Sequence, residues 1–322
     1  SLVVSYGMEA PFTLMAAMVL MCLIGLWDDV HFLSARRRLV MHMGAALMMG
    51  LFDHIQVDSL GNILGTGPIL LGALALPFTL FAIAGAINAI NMIDGMDGLA
   101  GGVVLVALGW MAVLAGQAGM LEDMNIILTM AACVAGYLYF NMRFPGRARA
   151  AVFMGDAGST MLGVALAWFI IVLTQEKAGH PGTAFSPVVA LWLVAIPLLD
   201  TLSLIVRRLL RGESPFKADR HHLHHLLQRL GLSDAQVTVV IMLAAALIGA
   251  VGALGWLFGL SEPVLFYGVP GAGCGLLCGG ASLRAVPPVP QSLPEQAEAA
   301  EHGGRLSAAL SFLVISFLQA AA

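Results

Sequence analysis

Charge is what this sequence is short of. Asp, Glu, Lys and Arg together make up 11% of its 322 residues, where a soluble domain carries about a quarter. With 59% hydrophobic residues, that shortage excludes a soluble globular protein and leaves no room for a sizeable soluble domain between the apolar segments. Cysteine is scarce too. Cys22, Cys133, Cys274 and Cys278 are the only four, all in apolar stretches and without a CxxC pair. Buried thiols are therefore expected, not a disulfide framework or a thiolate metal cluster. The net charge of -4 says little by itself, and no nucleic-acid partner is expected. The first residues, "SLVVSYGMEAP", have neither an initiator Met nor the pattern of a signal peptide.

What is abundant is apolar sequence in lengths that suit a bilayer, about 20 residues each and somewhat fewer with snorkelling flanks. Spans are expected near residues 11–27, 39–53, 70–90, 99–116, 124–141, 158–174, 185–206, 236–258 and 263–280. The fold class this implies is all-α, a polytopic membrane helix bundle of about nine or ten spans. Residues 1–280 form the transmembrane domain, and 281–305 are a Pro/Glu-rich linker. The apolar stretch 306–322 reads as a span, an interfacial helix or a frayed tail.

The basic residues assign the faces. Arg36, Arg37 and Arg38 follow the first span, and Arg143, Arg147 and Arg149 the fifth. Arg207, Arg208, Arg211, Lys217, Arg220 and Arg229 follow the seventh, with Arg284 and Arg305 beyond the ninth. With alternating spans, only Lys177 falls on the opposite side, so the basic side is expected to be cytoplasmic. The unusual polar motifs land on that same side, although Arg and Lys alone assigned it. The opposite loops offer ordinary polar residues such as Asp53, Asp58, Glu122 and Asp123. One cytoplasmic site is expected.

Four stretches carry the chemistry. "GLWDDVHFLSARRRL" (25–39) ends a span on Asp28 and Asp29. Solvated charges at a helix boundary would explain it, but adjacent aspartates also suit holding Mg²⁺ beside a diphosphate or deprotonating a phosphate nucleophile. "NAINMIDGMDGLAGG" (88–102) sets Asp94 and Asp97 three residues apart among glycines. On a helix those acids share a face and repel unless a cation intervenes, while the glycines let backbone approach an anionic ligand. Polar groups at the membrane are functional by default, so a purely structural role is disfavoured here. "VFMGDAGSTMLG" (152–163) places Asp156 where a helix opens, as a site acid or as a plain cap.

"SPFKADRHHLHHLLQRLG" (214–231) gathers His221, His222, His224 and His225 beside Lys217 and Arg220. Zinc is disfavoured: no cysteine is near, HExxH is absent, and adjacent helical histidines do not converge on one tetrahedral ion. Groups for phosphate or sugar oxygens fit better. Asp200, within the seventh span, is expected to face the bundle interior and meet a partner. Together these features suit Mg²⁺-dependent handling of a diphosphate, with a co-substrate embedded in the membrane.

"GLWDDV", "NAINMIDGMDGLAGG", "FMGDAGSTMLG" and "SPFKADRHHLHHLLQRLG", in this order and spacing, resemble the signature stretches of the bacterial polyprenyl-phosphate N-acetylhexosamine-1-phosphate transferases. The resemblance runs from about residue 11 to 260. It is nearest to the WecA-type branch, to which "DRHHLHHLL" belongs, and less to the muramyl-pentapeptide branch. It implies transfer of N-acetylglucosamine 1-phosphate from the UDP-sugar to undecaprenyl phosphate, giving the lipid diphosphate-linked sugar and UMP. That would be the first membrane step of an envelope polysaccharide such as O-antigen, common antigen or teichoic acid, at the bacterial inner membrane.

By resemblance, Asp28 and Asp29 match the family's paired aspartates, one of them the base for the lipid phosphate. Asp156 matches its metal-binding aspartate, with Mg²⁺ as cofactor and Mn²⁺ as a substitute. Asn91, Asp94 and Asp97 match the nucleotide motif, with Asp94 near the metal and Asp97, beside Gly98, near the uridine. His222, His224 and His225 match the HxHH pattern near phosphates and sugar, with Arg220 a further substrate contact; His221 falls outside it. A homodimer stays open. Family members carry further N-terminal spans, a basic loop before the span at 11–27 and a basic tail, so the sequence is expected to be part of a longer protein.

Three rivals remain. A fucosamine, quinovosamine or galactosamine donor would use the same chemistry. An ion-coupled transporter would need carboxylates near mid-bilayer and inverted repeats. An intramembrane aspartyl protease would need two acids meeting within the bilayer. Acids at helix ends on one face favour the transferase.

Overall fold

The computed structural model describes residues 12–143, 147, 149–176, 182–212, 214 and 222–269. Ten helices run through them: α1 (Phe12–His31), α2 (Ala35–Phe52), α3 (Ala75–Ile93), α4 (Leu99–Gln117), α5 (Leu121–Asn141), α6 (Gly155–Thr174), α7 (Pro187–Leu193), α8 (Ala195–Leu210), α9 (Leu223–Arg229) and α10 (Asp234–Leu257). A further helical segment is described from residue 262 to 269. Among the described residues no strand forms, only isolated bridge residues such as the antiparallel pair Ser59 and Leu70. The chain is a multi-pass helical membrane protein, as its apolar composition requires.

Among the described residues, six helical stretches are long and apolar enough to cross a bilayer, or seven if α7 and α8 are one broken span. Two expected spans differ in form. The stretch 39–53 is α2, which opens on Arg36, Arg37 and Arg38; the apolar remainder reaches only about 21 Å, short of a hydrocarbon core of about 30 Å. The stretch 185–206 is not straight: α7 and α8 meet at 83°. Pro197 lies in the first turn of α8. It has no N–H to continue the α7 ladder, and its ring would press on the carbonyl of residue 193. Of the expected span 263–280, the part beyond residue 269 lies outside the described residues, as do 281–305 and 306–322.

The centre of the bundle is α6, packed against α1 and α3, with α4 bridging α5 and α10. α4 and α6 are the most enclosed of the candidate spans, and α1 and α5 the least. Polar contacts between helices include the Thr160 hydroxyl, which donates to the carbonyl of Met21 (3.2 Å), and the Trp110 indole N–H, which donates to that of Ala246 (3.1 Å). α1 approaches α6 so closely that a Cβ on Gly25 would collide with the backbone of Ala157. Gly25→Val should therefore lose about 1–3 kcal/mol or more of stability and spread the two helices that carry Asp29 and Asp156. Thermal unfolding of the solubilised protein checks this; an unchanged melting temperature would deny the tight crossing.

The ordinary polar residues of the end opposite the motifs anchor a loop over residues 53–74. The Gln175 side chain accepts from the N–H groups of Asp58 (3.0 Å) and Ser59 (2.9 Å). Glu262 accepts the N–H of Asn62 (2.7 Å), and the Thr13 hydroxyl donates to Asp53. These residues build structure at their own end and leave the motif end to the chemistry.

Candidate active site

The C-termini of α1, α3 and α5 and the N-termini of α2, α4, α6 and α10 share the motif end, and the described parts of the four motifs meet there. Asp28 and Asp29 part company. Asp28 is buried, accepts the N–H of Leu33 (2.7 Å) and pairs with Arg38. Asp29 is exposed and accepts the N–H groups of Asp156 (3.0 Å) and Ala157 (3.3 Å). It thus caps α6, whose own N-cap residue Met154 supplies no side-chain cap. Gly155 makes this possible: its φ is +65°, and a Cβ there would stand 2.7 Å from Asp29 Oδ2.

Asp156 accepts a hydrogen bond from Asn91 Nδ2 (2.6 Å), which also donates to Ser159 Oγ (3.0 Å). The guanidinium of Arg38 lies 3.5 Å from its other oxygen, so one arginine serves Asp28 and Asp156 together. Asp94, just past α3, faces the remaining acids. Burial first, then the charges of Asp156, Asp29 and Asp97, push its carboxyl up to about 7. The sign of the consequence is fixed: the folded state keeps a proton that the unfolded chain releases from about 4 upward, so this group costs stability as pH rises from about 4 to 7. Asp94→Asn should raise the melting temperature at pH 8 and leave it nearly unchanged at pH 4. A paired pH series of thermal melts decides it; equal curves would mean that neither burial nor the neighbouring acids hold the Asp94 carboxyl up.

Asp97 holds Arg143 at 2.7 Å, and the same guanidinium reaches Asp234 at 2.7 Å. Gly98, at φ +77°, gives its N–H to Asn141 (2.8 Å), and Asn141 donates onward to the carbonyl of Val152 (2.8 Å). Beside them opens a cavity of about 430 Å³, lined by Asp97, Arg143, Arg149 and residues 150–153. Phe153 stands at its edge, 82% exposed.

The histidines close the site from the other side. His224 is buried with its ring against Gly95, where a Cβ would lie 2.7 Å from Nε2. Burial, then His225 and His222, push it down to about 4, so the ring is neutral at pH 7. Its Nδ1 is buried with no partner among the described residues. His222 stacks on it, 5.4 Å between centroids, and bonds Asp200 through Nδ1 (2.8 Å). His225 Nδ1 meets Gln228 Oε1 (3.0 Å), whose amide donates to Asp234 (2.9 Å). Arg220, with Lys217 and His221, lies outside the described residues.

Asp28, Asp29, Asn91, Asp94, Asp97, Asp156 and the three described histidines thus come together, while Gly98 turns its N–H inward. Arg38, Arg143 and Asp234 join them unannounced. The two arginines read in sequence as topology markers, and Asp234 stood in none of the motifs. Their only early signal was a place at helix ends on the motif side. Among the described residues no three His, Cys, Asp or Glu side chains are grouped to hold a metal by themselves. The donors are still of the hard oxygen kind that Mg²⁺ takes through one or two carboxylates, with substrate oxygens and water completing the shell. Asp94 and Asp156 fit that description.

A multi-pass membrane bundle with acids, arginines and histidines converging at one end is the architecture of a membrane-surface site for an anionic substrate. The chain belongs to glycosyl transferase family 4, whose signature spans residues 11–174. Over 252 residues it is 38% identical to the undecaprenyl-phosphate alpha-N-acetylglucosaminyl 1-phosphate transferase of Escherichia coli strain K12, covering 78% of this chain and 67% of the relative. The Haemophilus influenzae protein of that name is 36% identical over 261 residues, covering 81% of this chain and 72% of the relative. That of Yersinia pestis is 39% identical over 236 residues, covering 73% and 63%. The chain spans about two thirds of the length of these relatives, and the family read from its four motifs is borne out.

Proposed function

We propose that this chain is the core of an undecaprenyl-phosphate N-acetylglucosaminyl 1-phosphate transferase, with its site at the cytoplasmic face of the inner membrane. The observation that carries this is the meeting of Asp29, Asn91, Asp94 and Asp156 from α1, α3 and α6, beneath histidines packed on Gly95. The names of the relatives support undecaprenyl phosphate and a UDP-sugar as the two substrates. Acids at helix ends also favour transfer over ion relay, which would need them at depth.

An oxygen of the lipid phosphate attacks the β-phosphorus of the UDP-sugar and forms the new phosphoanhydride, the bond from that phosphorus to the bridging oxygen breaks, and UMP departs carrying that oxygen and its electron pair on the α-phosphate. Asp29 is the accessible member of the aspartate pair and the one placed to take a proton from a lipid phosphate that arrives protonated. Asp28, buried under Arg38, holds that arginine in place. Asp94 and Asp156 would hold Mg²⁺, which would neutralise the diphosphate charge. Asn91 orients Asp156 by its amide. Arg38, beside Asp156, offers a cation to phosphate oxygens. His222, His224 and His225 face the phosphates and sugar. The cavity beside Asp97, with the exposed ring of Phe153, is of a size and character to take the nucleobase by stacking and hydrogen bonding.

The test uses purified protein, undecaprenyl phosphate, Mg²⁺ and a panel of UDP-N-acetylhexosamines, following UMP release. Lipid-dependent release with UDP-N-acetylglucosamine supports the proposal, and preference for another donor would reassign the sugar. Folded protein that releases UMP from none of them would refute the transferase reading.

A further inference from the structure

Asp200 belongs to no motif, yet it is buried and both of its oxygens are engaged. It lies in the second turn of α8, just past the bend at Pro197, and is 8% exposed. One oxygen meets His222 Nδ1 at 2.8 Å; the other accepts the N–H of Leu223, the first residue of α9, at 2.9 Å. A single carboxylate therefore fixes both a ring and the start of the short helix that bears it. Without the 83° bend, α8 would continue the line of α7 and present this carboxylate elsewhere.

We propose that Asp200 is the positioning residue of the histidine loop, orienting His222 so that its bare Nε2 is presented to the substrates as the acceptor for a sugar hydroxyl hydrogen. This rests on the transferase reading for its substrates. A carboxylate can only accept here, so Nδ1 of His222 carries the hydrogen. The edge left for a ligand is Nε2, with its plane set by the stack on His224. An acid that fixes tautomer and ring angle from behind is the arrangement that tunes metal-bound and catalytic histidines generally. The bond to Leu223 alone would serve a purely structural role, and Asp200→Asn separates the two. An amide can accept from Leu223 through its oxygen, but its NH₂ then faces Nδ1 and forces the hydrogen of His222 onto Nε2.

In the full-length enzyme, Asp200→Asn should lower kcat by about 10–100-fold, with the KM for the UDP-sugar and the melting temperature near those of the parent. His222→Gln should lose a similar factor, and the double variant should be little worse than either. ¹⁵N-histidine NMR, with His222 assigned by difference against His222→Gln, should place the hydrogen on Nδ1 in the parent. Full activity in Asp200→Asn, or losses that multiply in the double variant, would overturn the proposal. So would a parent spectrum with Nδ1 bare, a readout that holds even if Asp200→Asn does not fold. A parent that turns over no donor but shows hydrogen on Nδ1 would sink the transferase reading and keep the contact.

Discussion

Asp156→Asn is expected to remove UMP release by at least a factor on the order of 10²–10³, in protein that folds as the parent does. The fold should survive because an amide replaces a carboxylate of the same shape, and the N–H that α6 offers to Asp29 is untouched. Arg38 loses a partner at 3.5 Å but keeps Asp28. What disappears is the negative charge at the point where Asn91, Arg38 and Asp94 meet. A cation bridging enzyme and diphosphate would need that charge. Mg²⁺ titration of activity, with melting temperature as the folding control, checks it. Parental turnover would take Asp156 out of the proposed metal site.

Replacing His224 and His225 together by Ala should cripple turnover by a comparable factor, with the metal content of the protein unchanged. His224 covers Gly95, next to Asp94, so truncating it opens the site where the acids are held closest. His225 braces the Gln228 side chain, whose amide donates to Asp234, so its loss removes the support of the contact that ties α9 to the start of α10. Elemental analysis should find no zinc in either protein, since the rings here pack on backbone and on one another. Stoichiometric zinc in the parent and its loss in the variant would reverse this view of the histidines.

How much of this could be read from the chain itself varies by level. The helix ends were legible because a run of apolar residues must stop where acids and arginines begin. Asp29, Asp94, Asp97 and Asp156 were legible because they interrupt such runs among glycines. The break between α7 and α8 was not, since hydropathy is blind to direction: "LWLVAIPLLD" is continuous in composition and bent in space. The arginines were seen but not understood. Arg143 and Asp97 are 46 positions apart, and no periodicity tells which helix ends will be neighbours. For Asp200, polarity inside a span foretold a partner, and only the fold supplied His222.

Asp97, Arg143, Asp234, Gln228 and His225 form one unbroken line of ion pairs and hydrogen bonds across α4, α5, α10 and α9. α9 has seven residues, too few to be stable as an isolated helix, so its posture is borrowed from the far end of that line. Genetic variants of this protein should be sorted accordingly. A change at Asp234, outside every motif, would present as a disorder of the histidine segment, and a catalogue of harmful substitutions drawn up from motifs alone would misfile it as a surface change.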